Sequence, residues 1–254
     1  MEEERLDIVL VSLGLLLFGS YHVWLLCTIL RNPFRTVIGL NAESRHQWVL
    51  SMMNDPLKNG VLAIQTIRNN IMASTLLATT ALTLSSIIGI FASSTWNSDV
   101  SASMSVHDGN NTSTSSIKRL SISICFLVAF LCNVQSIRYY AHVSFLITSP
   151  ALGDKKDYME YTAKILNRGS HSWSLGLRAF YLSFPLFLWI YGPIAMVACC
   201  FLTCSILYFL DTTTKIAQDI VHNNSFKEER QTHDIESDNN NKDPNGDAHV
   251  IQQP

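Results

Sequence analysis

Residues 71–92 read Ile71-Met72-Ala73-Ser74-Thr75-Leu76-Leu77-Ala78-Thr79-Thr80-Ala81-Leu82-Thr83-Leu84-Ser85-Ser86-Ile87-Ile88-Gly89-Ile90-Phe91-Ala92. No charged residue and no proline interrupts them. An apolar run of about 18 or more residues is long enough to cross the hydrocarbon core of a bilayer. The helical pattern starts upstream at Val61 and reaches Ala92 without a breaker, which is about 48 Å at 1.5 Å per residue. That exceeds the roughly 30 Å core, so the helix is expected to project beyond the membrane where Arg68, Asn69 and Asn70 lie. Ala81, Ser85 and Gly89 recur at i, i+4 and i+8, a small-residue stripe of the kind that lets helices approach closely in lipid.

Three other blocks share this character, at residues 6–30, 120–137 and 179–210. The whole chain of 254 residues is 48% hydrophobic and only 15% charged, against an average near 25% charged. Its mean hydropathy is +0.18. A soluble enzyme is excluded, and the expectation is an all-α membrane protein with four transmembrane helices and two amphipathic connectors. Residues 1–212 form the transmembrane domain. Residues 213–254 form an acidic polar tail without apolar periodicity, expected to be disordered. From Asp211 onward there are nine acids against four bases. The six cysteines lie in apolar blocks with no zinc spacing and read as packing residues; Cys27, near the end of the first span, is also placed for reversible acylation.

Local signals divide the rest. Arg31-Asn32-Pro33 ends the first span, because proline cannot continue the helical hydrogen-bond ladder. Ser44-Arg45-His46-Gln47 has the form of a capping box, and behind it Trp48, Val49, Met52 and Met53 share one helical face. This predicts a short amphipathic helix, closed by turns at Asn54-Asp55-Pro56 and Asn59-Gly60. Residues 93–116 predict a polar loop with overlapping glycosylation sequons at Asn110 and Asn111; Asn223 heads another in the tail. The third span is helix-compatible from Leu120 to Ile147 and stops at Thr148-Ser149-Pro150. Residues 151–177 predict a second amphipathic connector with a turn at Asn167-Arg168-Gly169-Ser170. Block four is too long for one upright span. It is expected either to kink at its prolines or to break at Tyr191-Gly192-Pro193.

Charge sets the orientation. The two odd-numbered connectors carry eleven of the eighteen basic residues, and basic loops favour the cytoplasm. The connectors are therefore expected inside, and the N-terminus, the sequon loop and the tail on the non-cytoplasmic side. The acidic start Met1-Glu2-Glu3-Glu4 does not suit a secretory signal or a transit peptide. The chain is placed as a multi-pass protein of the plasma membrane or the endomembrane system.

Chemistry is sparse. Arg31, Arg68, Arg138 and Arg178 each mark the cytoplasmic edge of a different span, with Asn69, Asn70, Gln135 and His142 near the same level. If the helices bundle, these side chains converge on a basic ring suited to an anionic lipid headgroup, since the guanidinium fork matches phosphate and carboxylate oxygens. The charge rule requires such residues in any case, as arginines that snorkel to headgroups. His22 lies inside span one and is expected to pair with a hydroxyl, a carbonyl, Asn133 or Gln135; no acid lies deep in any span to complete a proton relay. A haem between His22 and His142 has nothing else behind it, and no cofactor or metal is expected. There is no P-loop, G-x-S-x-G, H-E-x-x-H or C-x-x-C. The expected function is non-enzymatic: binding of membrane lipids, an anionic headgroup among them, or of a partner protein at the basic face. The alternative is a small transporter or channel subunit, oligomeric through the Ala81/Ser85/Gly89 stripe. No nucleic-acid partner is indicated.

Three motifs carry a resemblance. They are Asn59-Gly60-Val61-Leu62-Ala63-Ile64-Gln65-Thr66-Ile67-Arg68-Asn69-Asn70-Ile71-Met72-Ala73-Ser74-Thr75, then Asn167-Arg168-Gly169-Ser170 through Trp173-Ser174-Leu175-Gly176-Leu177-Arg178-Ala179-Phe180-Tyr181, then Ser183-Phe184-Pro185-Leu186-Phe187-Leu188-Trp189. In this order they resemble a plant family of four-span membrane proteins known by its domain of unknown function, number five-nine-nine. The resemblance covers about residues 6–212. It implies an integral membrane protein of plants with no assigned activity, and it carries over no catalytic residue.

Overall fold

The computed structural model describes residues 2–102, 109–149 and 154–212. Six α-helices account for nearly all of them: α1 Glu2–Arg31, α2 Val37–Asn54, α3 Pro56–Ala102, α4 Gly109–Leu146, α5 Lys155–Leu188 and α6 Pro193–Asp211. The protein is an all-α membrane protein. Four helical segments are long and apolar enough to cross a membrane: Asp7–Arg31, Pro56–Phe91, Ser115–Leu146 and Pro193–Asp211. The acidic tail, with Asn223, lies outside the described residues.

Backbone chemistry explains the breaks. Asn32-Pro33 stops α1, and a single 3-10 turn, Pro33–Arg35, reverses the chain. The Thr36 hydroxyl then caps α2 by accepting from the Gly39 amide at 3.2 Å. Ser44 is thus inside α2, donating to the Leu40 carbonyl, and is not the cap expected from the S-x-x-Q pattern. That pattern marks a helix start only where the residues before it leave the helix, and here the exit lies at Pro33–Thr36 instead. Asp55 with Pro56 separates α2 from α3. Asn59-Gly60 is not a turn but part of α3, and the Thr148 side chain lies against Gly60. The polar loop expected at 93–116 is mostly helical, because α3 continues to Ala102 and α4 starts at Gly109. No proline lies between Pro56 and Pro150, and Ser, Thr and Asn cost a helix only about 0.7 kcal/mol each or less. Asn110 and Asn111 fall on the first turn of α4.

The turn expected at Asn167–Ser170 is also absent, since α5 runs straight through it. Gly169 serves a different purpose. A methyl there would stand 3.0 Å from the Tyr140 ring and 3.1 Å from the Tyr139 Cβ. The glycine lets α4 and α5 touch. Block four breaks at Tyr191-Gly192, the second of its two expected forms, and Pro193 starts α6.

Contacts fix the direction of each helix. α3 and α4 are antiparallel: Gly60 lies by Thr148, the Ser74 hydroxyl is 3.5 Å from that of Ser136, and those of Ser85 and Ser123 are 2.8 Å apart. α5 runs antiparallel to α4 along its whole length. The Tyr158 hydroxyl donates to the Leu146 carbonyl, Ser136 to the Gly169 carbonyl, Phe126 stacks edge-on to Phe180, and Lys118 donates to the Trp189 carbonyl. α1 and α6 are parallel. Gly14 faces Cys200, Trp24 lies 5.6 Å from Tyr208 between ring centroids, and Thr36 pairs with Thr212 in an isolated bridge. Five helices therefore run end to end, and α1 begins at one end of the bundle while α6 finishes at the other. Thr212, the last described residue, therefore stands at the end of the bundle opposite the start of α1. The first half of α5 reads in sequence as an amphipathic connector, yet α5 as a whole runs beside α4 along the bundle.

Two apolar clusters hold the bundle. One joins Val49 and Met53 of α2 to Ala63, Ile67, Tyr140, Val143, Ala163 and Leu166 at the connector end, where α2 stands beside the extended ends of α3, α4 and α5. The Trp48/Met52 face packs against it. The other joins Val11, Ala81, Ile122, Phe126, Leu186, Met196 and Cys200 through the apolar layer. Ala81 is fully buried there and Ser85 bonds α4, so this part of the small-residue stripe is occupied within the chain. Gly89 has nothing within 4 Å of an added Cβ.

Candidate functional site

The connector end gathers the basic residues. Arg31, Arg35, Arg68, Arg138 and Arg168 are exposed, and none forms an ion pair among the described residues. Asn69 and His142 are exposed and Asn70 is half-buried. These residues present a basic face rather than a closed ring.

Arg178 is not part of that face. Its neighbour Gly176 lies against Ala129 and Asn133 of α4, so Arg178 sits about two helical turns deeper than Arg138. Its Nη2 donates to both carboxylate oxygens of Asp211, at 3.0 and 2.9 Å. The Tyr21 hydroxyl donates to Asp211 Oδ2 at 2.6 Å. The Arg178 and Asp211 side chains are only 13% and 12% exposed. An acid at a helix C-terminus opposes the helix dipole. Asp211 at the end of α6 is instead held by Arg178 and Tyr21. The sequence reading placed Asp211 at the start of the tail and missed this carboxylate. The available signal was an acid closing an apolar helix with a lone arginine in another apolar segment.

His22 does not reach Asn133 or Gln135. Its Nδ1 lies 2.8 Å from the Phe18 carbonyl of its own helix, and Asn133 Nδ2 donates to the Ala129 carbonyl. Among the described residues no group of three or more His, Cys, Asp and Glu is placed to hold a metal ion.

A cleft of about 340 Å³ opens where the last turns of α1 meet α2 and α5. Its lining includes the apolar Ile29, Pro33, Phe34 and Ile38 and the polar Glu43, His46, Asn167 and His171. Gly39 also lines it, and a Cβ there would collide with the Pro33 carbonyl at 2.1 Å. Asn167 is pinned at both ends: Oδ1 accepts from Arg45 Nε at 2.8 Å, and Nδ2 donates to the Ala42 carbonyl at 3.1 Å. Partial desolvation, with the nearby Arg45 charge, holds His171 below the usual histidine range. Desolvation likewise lowers Arg45 from its ordinary value.

The helix set and the basic end define a class: an all-α protein with four helices able to cross a membrane. The family model described as "Protein of unknown function, DUF599" matches residues 9–216. The chain belongs to that family. No curated protein and no solved structure matches it.

Proposed function

We propose that this is a non-enzymatic integral membrane protein whose connector end faces the cytoplasm and binds anionic lipid headgroups. The observation that carries this reading is the group of exposed arginines, Arg31, Arg35, Arg68, Arg138 and Arg168, contributed by α1, the 3-10 turn, α3, α4 and α5 at one end of the bundle. Exposed guanidinium groups without protein carboxylates are open to phosphate. Each basic residue near an anionic leaflet contributes about 1 kcal/mol of attraction. Charge bias toward the cytoplasm gives the same orientation.

The test uses intact protein in phosphatidylcholine nanodiscs, mixed with vesicles containing phosphatidylserine. Replacing Arg68 and Arg138 together by Ala should weaken vesicle capture by about tenfold or more at low salt. Unchanged capture would remove the basis for the reading. The transporter alternative lacks a comparable observation, because the Gly192-Pro193 break joins two helices at the bundle end instead of interrupting a span.

A further inference from the structure

We propose that the segment Phe226–Asp238 of this chain docks on its own connector end, with Phe226 in the cleft between α1, α2 and α5 and its acids on Arg31, Arg35 and Arg168. The point where the described chain ends favours this. Thr212 pairs with Thr36, and Pro33, Phe34, Ile38 and Gly39 of the cleft lie within three positions of Thr36. Residues 213–254 follow in the sequence, and Phe226 comes fourteen positions after Thr212. A chain of that length spans at most about 50 Å, and a flexible one averages about 20 Å between its ends. Such a tether keeps its far end near the cleft at about millimolar concentration. Modest complementarity is then enough for occupancy.

Charge and shape both match. Arg31 closes α1, Arg35 is next to Thr36, and Arg168 adjoins Asn167 of the cleft lining. All three are exposed, and none has an ion-pair partner among the described residues. Three acids of the surrounding helices are engaged elsewhere. Glu43 accepts from Gln47 Nε2 at 3.1 Å, Glu160 pairs with Lys164 at 2.7 Å, and Asp211 holds Arg178. Residues 226–238 supply the missing carboxylates: Glu228, Glu229, Asp234, Glu236 and Asp238, against Lys227 and Arg230. Each can accept a guanidinium fork through two oxygens. Phe226 is the one Phe, Tyr or Trp after Thr212, and Ile29, Phe34 and Ile38 give it an apolar lining in a cleft of about 340 Å³. Glu43 keeps acceptor capacity for Lys227, which lies between the ring and the acids. The regulatory consequence rests on the lipid-binding reading above: docking takes three of its five arginines and lowers affinity for an anionic leaflet.

The test is trypsin cleavage of the full-length protein, one copy per phosphatidylcholine nanodisc. Cleavage after Lys227 and Arg230 reads the undocked fraction, and cleavage after Lys242 is the internal reference. Arg31→Gln, Arg35→Gln and Arg168→Gln together should speed the first two cuts about fivefold or more against the reference. Phe226→Ser, outside the helices of the bundle, should act in the same direction. Equal relative rates in the parent and both variants overturn the proposal. Acceleration by one variant alone overturns the part given to the other group. Protection that appears only with two copies per disc overturns docking within one chain and assigns the segment to a second copy. Competition with lipid is read separately, as capture by phosphatidylserine vesicles. Glu228→Gln with Glu229→Gln should strengthen capture more than Asp243→Asn with Asp247→Asn, an equal change of charge beyond the docked segment. Equal effects overturn the competition and leave the docking to the protease assay. Capture that does not depend on Arg68 and Arg138 overturns the lipid reading alone.

Discussion

Asp211 ties three helices through two side chains. Arg178 grips both of its oxygens and Tyr21 donates to one. Taking one partner from a buried ion pair costs about 3–5 kcal/mol, because the other charge stays desolvated and unpaired. Arg178→Gln and Asp211→Asn should therefore each lower the thermal unfolding midpoint in detergent strongly. The double variant should lose much less than the sum of the two, which a double-mutant cycle reads directly. His171 makes a gentler prediction. Its pKa is held below 6.5 in the fold, so the native state favours the neutral ring. That contribution is fully present above the unfolded value and is lost as pH falls beneath it. Midpoints measured from about pH 7.5 down to about pH 5.5 should fall less in His171→Gln than in the parent.

At the scale of elements, glycine decides how closely helices pack. At Gly176 an added Cβ would stand 2.6 Å from Asn133 Nδ2 and 3.3 Å from the Ala129 carbonyl oxygen. Asn133 is buried and already bonded to that carbonyl, so it has nowhere to move. Gly176→Ala should destabilise by about 1–3 kcal/mol, the usual cost of overpacking. Gly89→Ala meets nothing within 4 Å and should leave stability unchanged or raise it by up to about 1 kcal/mol, as alanine favours the helix. Chemical denaturation of the two variants side by side checks both signs. Periodicity and prolines located the helices well here: Pro33, Pro56 and Pro193 each stand at a helix start or break. Glycines misled, because Gly60 and Gly169 read as turns and act as contact points.

For the whole molecule, the parallel course of α1 and α6 puts the start of α1 and the end of α6 at opposite ends of the bundle. Thr212 stands beside Thr36 at the connector end, and α1 starts at the opposite end. With the connectors cytoplasmic, α4 starts at the lumenal end, where its first turn carries Asn110 and Asn111, and the described chain ends at Thr212 on the cytoplasmic side. Replacing Asn110 and Asn111 by Gln should abolish any endoglycosidase-sensitive mobility shift, while Asn223→Gln should change nothing. A shift that disappears only with Asn223→Gln would reverse this assignment.

Sequence alone determined that the chain is helical and membrane-embedded, because length and polarity of apolar runs are local quantities that the bilayer thickness reads directly. It also determined that basic residues mark the connectors. Tertiary structure decided the pairing. Asp211 and Arg178 are separated by 33 positions and Tyr21 and Asp211 by 190, and no local pattern encodes contacts at such distances. It also decided that α5 runs the length of the bundle although its first half is polar. One face of that half, with Ala163, Ile165 and Leu166, packs into the cluster shared with α2 and α4, while Lys164 and Arg168 stay exposed.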